Sequence, residues 1–226
     1  MSMEEAKRAA GRKAAELIES GMIVGLGTGS TAACFIEALI ERCRNGLKIE
    51  AAASSRASTD QAQKGGIQVV DLNSLSRIDI TVDGADEIDP QKRMIKGGGG
   101  AHVREKILAA ASGEMVVIID ESKQVPSVGR TKLPIEVLFY GSPSTRKKIE
   151  DLGYKGKWRA NPDGTFFISE NGNLIFDIRF DSPPLSPEEV HERIIRIPGV
   201  VDTGFFFGLA GRVIVGRFDG SAEILP

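Results

Sequence analysis

The residues able to do chemistry gather in four short stretches. In Gly25-Leu26-Gly27-Thr28-Gly29-Ser30-Thr31, glycines alternate with other residues and hydroxyl side chains cluster at the end. Glycine lets backbone N–H groups approach an anion closely. A helix N-terminus adds partial positive charge, and Thr and Ser hydroxyls add donors. That combination suits a phosphate. No Gly-Lys-Ser/Thr follows, so this is not a nucleotide P-loop, and the dinucleotide fingerprint needs a glycine where Ser30 stands. A strand-to-helix turn with no ligand is the plainer alternative, but the glycines and hydroxyls exceed what a turn requires.

The second stretch, Asp83-Gly84-Ala85-Asp86-Glu87-Ile88-Asp89, places four carboxylates within seven residues. Asp83 and Asp86 are expected to face one space across the turn at Gly84. Like charges held close suit proton shuttling. A divalent cation is an alternative, although no histidine or further acid with ligand spacing supports it; a solvated acidic loop is another. The third stretch is Lys96-Gly97-Gly98-Gly99-Gly100, leading into Ala101-His102-Val103-Arg104-Glu105-Lys106. Consecutive glycines are entropically costly to order, so close backbone approach to a ligand is the better reading. Lys96 could neutralise a substrate oxygen, and Glu105 could point back at a cleft from the start of a helix. The fourth is Asp120-Glu121-Ser122-Lys123, where Lys123 could reach a phosphate or hydroxyl. His102 reads as an exposed helix-start histidine and His191 as a surface residue. Phe205-Phe206-Phe207 reads as core or subunit interface. Two histidines leave little room for a Ser-His-Asp triad.

These stretches need elements to hold them. Apolar spacing predicts a helix through Met3, Ala6, Ala10, Leu17 and Ile18, then a strand over Met22–Leu26 and a helix over Thr31–Arg44. Further strands are expected over Leu47–Ala53, Ile67–Val70, Ile78–Val82 and Met115–Ile119, with helices before Gly65 and over Ala101–Ser112. Strands alternating with helices indicate a parallel sheet covered on both faces, and such sheets bind ligands beyond the carboxyl ends of their strands. The chemistry-bearing stretches fall at those ends. After Pro126–Pro134 the rhythm changes: a strand over Ile135–Tyr140, a helix over Pro143–Leu152, a hairpin at Asn171-Gly172, and a helix opened by Ser186-Pro187-Glu188-Glu189. The fold class is therefore α/β: a mainly parallel, doubly wound, Rossmann-like sheet with a smaller inserted α+β domain. The expected division is residues 1–130 plus 207–226 for the main domain and 131–206 for the small one, with the last strands returning to the main sheet.

Bulk properties narrow the function classes. With 226 residues the chain can bury a core without staples. A formal charge of −2 leaves no basic footprint for nucleic acid and no polybasic membrane signal. Cys34 and Cys43 fit no metal-ligand spacing and are expected as reduced thiols on one helix. No apolar run is long enough for a membrane span, and the charged N-terminus lacks a signal-peptide core. A cytoplasmic location is expected.

The stretches GLGTGSTA, DITVDGADEID, KGGGGAHVREKI, IIDESKQV, LPIEV, ENGNLIFD and IPGVVDTGFF together resemble the type A ribose-5-phosphate isomerases, in family order over nearly the whole chain. The resemblance implies a two-domain enzyme of the pentose phosphate pathway that interconverts ribose 5-phosphate and ribulose 5-phosphate without a cofactor or metal. It implies a homodimer or a dimer of dimers. It implies that Thr28, Gly29, Ser30 and Thr31 hold the phosphate end of the substrate. Asp83, Gly84, Ala85 and Asp86 would line the sugar, with the two aspartates handling hydroxyl and ring-oxygen protons. Lys96, Gly97, Gly98 and Gly99 would bind and polarise the substrate, Glu105 would be the base, and Lys123 a further binding residue. His102 stands where the family has an apolar residue, and SSRAST departs from a more usual Thr-Ser start. Rival readings are an amino-sugar-phosphate isomerase/deaminase, a sugar-phosphate-sensing module and, more weakly, a nicotinamide-dependent dehydrogenase.

Overall fold

A computed structural model of the chain describes residues 2–225. In chain order its main elements are α1 (Met3–Ala15), β1 (Ile23–Leu26), α2 (Ser30–Arg44), β2 (Glu50–Ala53), α3 (Arg56–Lys64), β3 (Gln68–Val69), β4 (Ile78–Gly84), β5 (Glu87–Ile88), β6 (Met94–Ile95) and α4 (His102–Ala110). There follow β7 (Ser112–Asp120), β8 (Leu133–Val137), α5 (Ser142–Asp151), β9 (Gly156–Trp158), β10 (Leu174–Ile178), α6 (Pro187–Ile195), β11 (Val200–Thr203), β12 (Phe205–Phe206), β13 (Ala210–Gly216) and β14 (Ala222–Leu225). The chain divides into two compact units. One comprises residues 1–85, 104–124 and 208–226; the other comprises 86–103 and 125–207.

The first unit is built on a seven-stranded sheet of order β14-β13-β7-β4-β1-β2-β3. Every pairing is parallel except that of β14 with β13. Strand order therefore reverses at β1, which lies between β2 and β4, and a crevice opens at such a switch point beyond the strand ends. Leu26 ends β1 in register with Val82 of β4, so the loops after these two strands start side by side. The core packs Val24, Leu26, Val82, Val116, Ile118 and Ile214 against helix residues such as Phe35 and Leu39. Helix α1 opens with a capping box, Ser2 accepting from the amide of Glu5 while Glu5 accepts from the amide of Ser2. Its small face allows backbone-close packing: a Cβ on Gly11 would lie 2.7 Å from the Phe35 nitrogen on α2. Cys34 and Cys43 both lie on α2, as free thiols.

The second unit centres on an antiparallel sheet of order β11-β8-β10-β9, with a smaller sheet of order β12-β6-β5. Its own core includes Leu133, Ile135, Phe176, Ile194 and Phe205. Ser186 caps α6 by accepting from the Glu189 amide at 3.3 Å, with Pro187 in the first turn. The Asn171-Gly172 turn is present, but TFFIS makes only isolated bridges there rather than a full strand. Residues 86–103 and 125–130, assigned from sequence to the main domain, belong to this second unit. Strand pairing is the reason: β6 pairs with both β5 and β12, and the Val125 amide donates to the Ile88 carbonyl at 2.9 Å. Among the described residues no helix is long and apolar enough to cross a membrane.

Candidate active site

In the first unit, the turn after β1 is shaped by Asp83. This residue is fully buried near the end of β4, and its Oδ1 accepts the amide hydrogens of Thr28 at 3.0 Å and Gly84 at 2.7 Å. A Cβ on Gly27 would lie 2.1 Å from that carboxylate, so only glycine lets the chain pass. The hydroxyl of Thr28 lies 2.8 Å from both Ser54 Oγ and Ser55 Oγ. Ser54 and Ser58 in turn donate to the Leu26 and Gly27 carbonyls, and Ser55 caps α3. Thr28 is thus engaged inside the fold through both amide and hydroxyl. The open donors of the turn are those of Gly29, Ser30 and Thr31. Gly29, at φ +100°, is the N-cap of α2 with no side-chain cap. The first amides of α2 therefore carry the partial positive charge that binds anions. The serine network of SSRAST was legible only as a helix cap.

Glu105 lies in the first turn of α4 and is only 3% exposed, where a surface carboxylate would be the ordinary expectation. Lys123 ends a short 3-10 turn, Glu121–Lys123, and is half-buried. That turn is capped by Asp120, whose Oδ1 accepts the Ser122 amide at 3.1 Å. Glu121 fixes it further by accepting from the Phe218 amide at 3.0 Å.

In the second unit, the remaining carboxylates of the acidic stretch go to separate donors. Asp86 Oδ2 accepts the Gly98 amide at 2.8 Å. Glu87, buried, accepts the amides of Gly129, Arg130 and Thr131. Asp89 accepts the amides of Gln91 and Arg93, and an ion pair at 2.7 Å from Arg93 Nε. The crowding seen in the sequence is therefore resolved into four different sets of partners. Among the described residues no group of three or more His, Cys, Asp or Glu side chains is placed to hold a metal ion.

Lys96 is 2% exposed, with Nζ 5.4 Å from the centre of the Phe206 ring. A buried ammonium is costly unless compensated, and an aromatic face supplies part of that compensation. The glycine loop turns at Gly97 (φ +97°) and Gly100 (φ +87°), closed by the Gly100 amide on the Gly97 carbonyl at 2.9 Å. Gly98 and Gly99, at the tip, are exposed. His102, expected in solvent, is instead fully buried. A Cβ on Gly97 would fall 2.7 Å from His102 Cβ, so the glycine makes the room this imidazole fills. His191 is half-buried, its Nδ1 2.8 Å from Thr203 Oγ1 and its ring edge-on to Phe207. Phe205 and Phe206 are core.

A family profile described as ribose 5-phosphate isomerase A (phosphoriboisomerase A) matches residues 50–220. The chain belongs to the ribose 5-phosphate isomerase A family. One member, named Ribose-5-phosphate isomerase A, from Protochlamydia amoebophila (strain UWE25), is 50% identical over 221 residues, covering 98% of this chain and 95% of its own. The solved ribose 5-phosphate isomerase from Plasmodium falciparum superposes with a TM-score of 0.94 at 35% identity, covering 99% of this chain and 98% of its own. A further D-ribose-5-phosphate isomerase structure, in complex with phospho-erythronic acid, gives a TM-score of 0.94 at 34% identity over 100% of this chain and 99% of its own. The family match begins at β2, but these whole-chain likenesses extend it over the phosphate-suited turn and α1.

Proposed function

We propose that the protein interconverts ribose 5-phosphate and ribulose 5-phosphate through an enediolate, in the non-oxidative pentose phosphate pathway, without metal or cofactor. Glu105 is the base. Its carboxylate takes the C2 hydrogen of the open-chain aldose as a proton. The C–H electrons form the C1=C2 bond, and the carbonyl electrons move onto O1. Returning that proton to C1, while the O2 proton is passed to O1, forms the C2=O bond and leaves O1 a hydroxyl, which is the ketose. The observation that carries this reading is the burial of Glu105 on the first turn of α4, directly after the glycine loop. A carboxylate kept from water at that point suits proton transfer, which contributes about 10²–10⁴-fold when positioned.

Lys96 and the amides of Gly97 and Gly99 stabilise the enediolate oxygens, while Gly98 shapes the loop through its bond to Asp86. Each well-placed donor contributes roughly 3–4 kcal/mol. Asp83 and Asp86, with Gly84 and Ala85, line the sugar and handle hydroxyl and ring-oxygen protons. Gly29, Ser30 and Thr31 hold the phosphate on a turn that Thr28 fixes through its bonds to Asp83, Ser54 and Ser55, with Lys123 as a further binding residue. The relative solved with phospho-erythronic acid supports this chemistry. A phosphorylated sugar acid offers a planar carboxylate, whose two oxygens resemble those of an enediolate. The same reading takes the protein as a cytoplasmic homodimer or dimer of dimers.

The test is ketose formation from ribose 5-phosphate in EDTA, with wild type and Glu105→Gln. Turnover by wild type and its near-complete loss in the variant, with substrate still bound, is the expected result. Turnover only after adding a divalent ion would overturn metal independence, and near-normal turnover by Glu105→Gln would remove it as the base.

A further inference from the structure

Arg159, in the stretch Lys157-Trp158-Arg159-Ala160-Asn161, carries no chemical signature in the sequence. In the fold it follows β9, and its side chain is 9% exposed. Its Nη1 donates to two carbonyl oxygens of the glycine loop, those of Gly97 and Gly98, both at 3.0 Å. Its other nitrogens are taken by Asp177 on β10: Nε to Oδ2 at 3.0 Å and Nη2 to Oδ1 at 2.5 Å. Lys132 Nζ adds a bond to Asp177 Oδ2 at 2.8 Å.

The consequence follows from peptide geometry. The chain has no cis peptide bond, and a trans peptide sets its C=O and N–H antiparallel. With the carbonyls of Gly97 and Gly98 turned to Arg159, the amides of Gly98 and Gly99 point to the opposite side. The Gly98 amide reaches Asp86. The Gly99 amide takes part in none of these bonds, on an exposed tip. Glycines have almost no conformational preference of their own; the internal bond from the Gly100 amide orients the Gly97 carbonyl, and the Gly98–Gly99 peptide is left to be held by Arg159. A cation on the carbonyl side also polarises the peptides and strengthens the opposite N–H as a donor.

We infer that Arg159, locked by Asp177, is a positioning residue that fixes the peptide planes of the glycine loop so that the Gly99 amide is presented to the substrate oxygen on which charge develops. This rests on the isomerase reading above. The bidentate pair with Asp177 holds the guanidinium in one rotamer, a fork that lysine does not reproduce. Burial alone would push the Asp177 carboxyl up, but the bonds from Arg159 and Lys132 outweigh it and hold it below the usual carboxylate range. Asp177 is therefore a carboxylate at neutral pH.

The experiment uses the full chain as wild type, Arg159→Gln and Arg159→Lys. It measures ribose 5-phosphate turnover and amide hydrogen exchange of residues 97–100. Arg159→Gln is expected to lower kcat about 100-fold, the cost of a misplaced catalytic group, with KM within about threefold. The bonded amides of Gly98 and Gly100 should exchange about tenfold faster or more, as local opening becomes easier. Arg159→Lys should recover part of both, and added methylguanidinium should raise kcat of the glutamine variant only. A kcat within about threefold of wild type, or loop exchange that does not change, overturns the inference. If wild type itself fails to turn over ribose 5-phosphate, the isomerase reading falls, and with it the role given to the Gly99 amide; the exchange arm then decides whether the brace exists at all. If Arg159→Gln does not fold, the lysine variant decides: full wild-type kcat there overturns the inference, and a drop of about tenfold or more supports it.

Discussion

Asp86 and Gly98 are fitted to each other. The carboxylate accepts the Gly98 amide at 2.8 Å, and a Cβ on Gly98 would stand 2.8 Å from the other carboxylate oxygen. The contact couples the acidic stretch to the glycine loop within one unit. It explains why this glycine cannot be exchanged for the next smallest residue without displacing a side chain given a role in catalysis.

Gly98→Ala should therefore lower kcat for ribose 5-phosphate by about tenfold to 100-fold, because the methyl group pushes Asp86 off the amide. Thermal unfolding should change little, since the tip is exposed. Wild-type turnover by this variant would mean that Asp86 can shift without consequence.

Glu87 should matter to stability. Its buried carboxylate serves the amides of Gly129, Arg130 and Thr131, of which Gly129 is itself buried. Hydrogen bonds to a charged group contribute about 1.5–3 kcal/mol each in favourable cases. Glu87→Ala is expected to cost about 3–5 kcal/mol in urea unfolding, and Glu87→Gln less, since the amide keeps one acceptor oxygen.

Thr28 and Ser30 should separate cleanly. Thr28→Val removes a hydroxyl from the network with Ser54 and Ser55 and should lower stability by about 1–2 kcal/mol. Ser30→Ala, at an exposed helix start, should leave stability unchanged within about 0.5 kcal/mol and raise KM for the sugar phosphate. Calorimetry and steady-state kinetics on the two variants read both effects.

Acid should weaken the second unit through Asp177. Its carboxyl titrates below the ordinary value when folded, because Arg159 and Lys132 outweigh the opposing effect of burial. A group depressed in the folded state contributes stability that is complete above its unfolded pKa, about 3.9, and is lost as pH falls through the folded value. Wild type should therefore lose more stability than Asp177→Asn between about pH 5 and about pH 2. Parallel loss in the two proteins would show that the pair contributes nothing to the acid limb.

The fold was largely legible because its signals are local. Alternation of apolar strands and amphipathic helices predicts the parallel sheet, and the glycine-rich turns mark strand ends. Among the candidate residues, the burial of Glu105 and Lys96 could be suspected from their neighbours. The partners were not legible. Arg159 meets Gly98 across 61 residues of sequence, and only the pairing of β9 with β10 brings it there. The carboxylates after β4 read as a crowd because sequence records spacing and not direction; folding turns each to its own donors. His102 read as solvated because helix starts usually are. It is buried because Gly97 lacks the one atom that would exclude it.

The first unit is assembled from three separate stretches, the last beginning at Gly208. Strand β13 pairs with the apolar face-to-face run of β7, in register from Val213 to Gly216 against Val117 to Asp120. During synthesis, then, β7 emerges long before the strand that covers its outer edge. The nascent chain carries an open row of backbone groups on Met115–Ile119, all buried in the finished fold, until the segment that carries β13 leaves the ribosome. Unpaired apolar edges of this kind template intermolecular pairing. Premature termination anywhere before Gly208 would yield a sticky fragment rather than a smaller working protein.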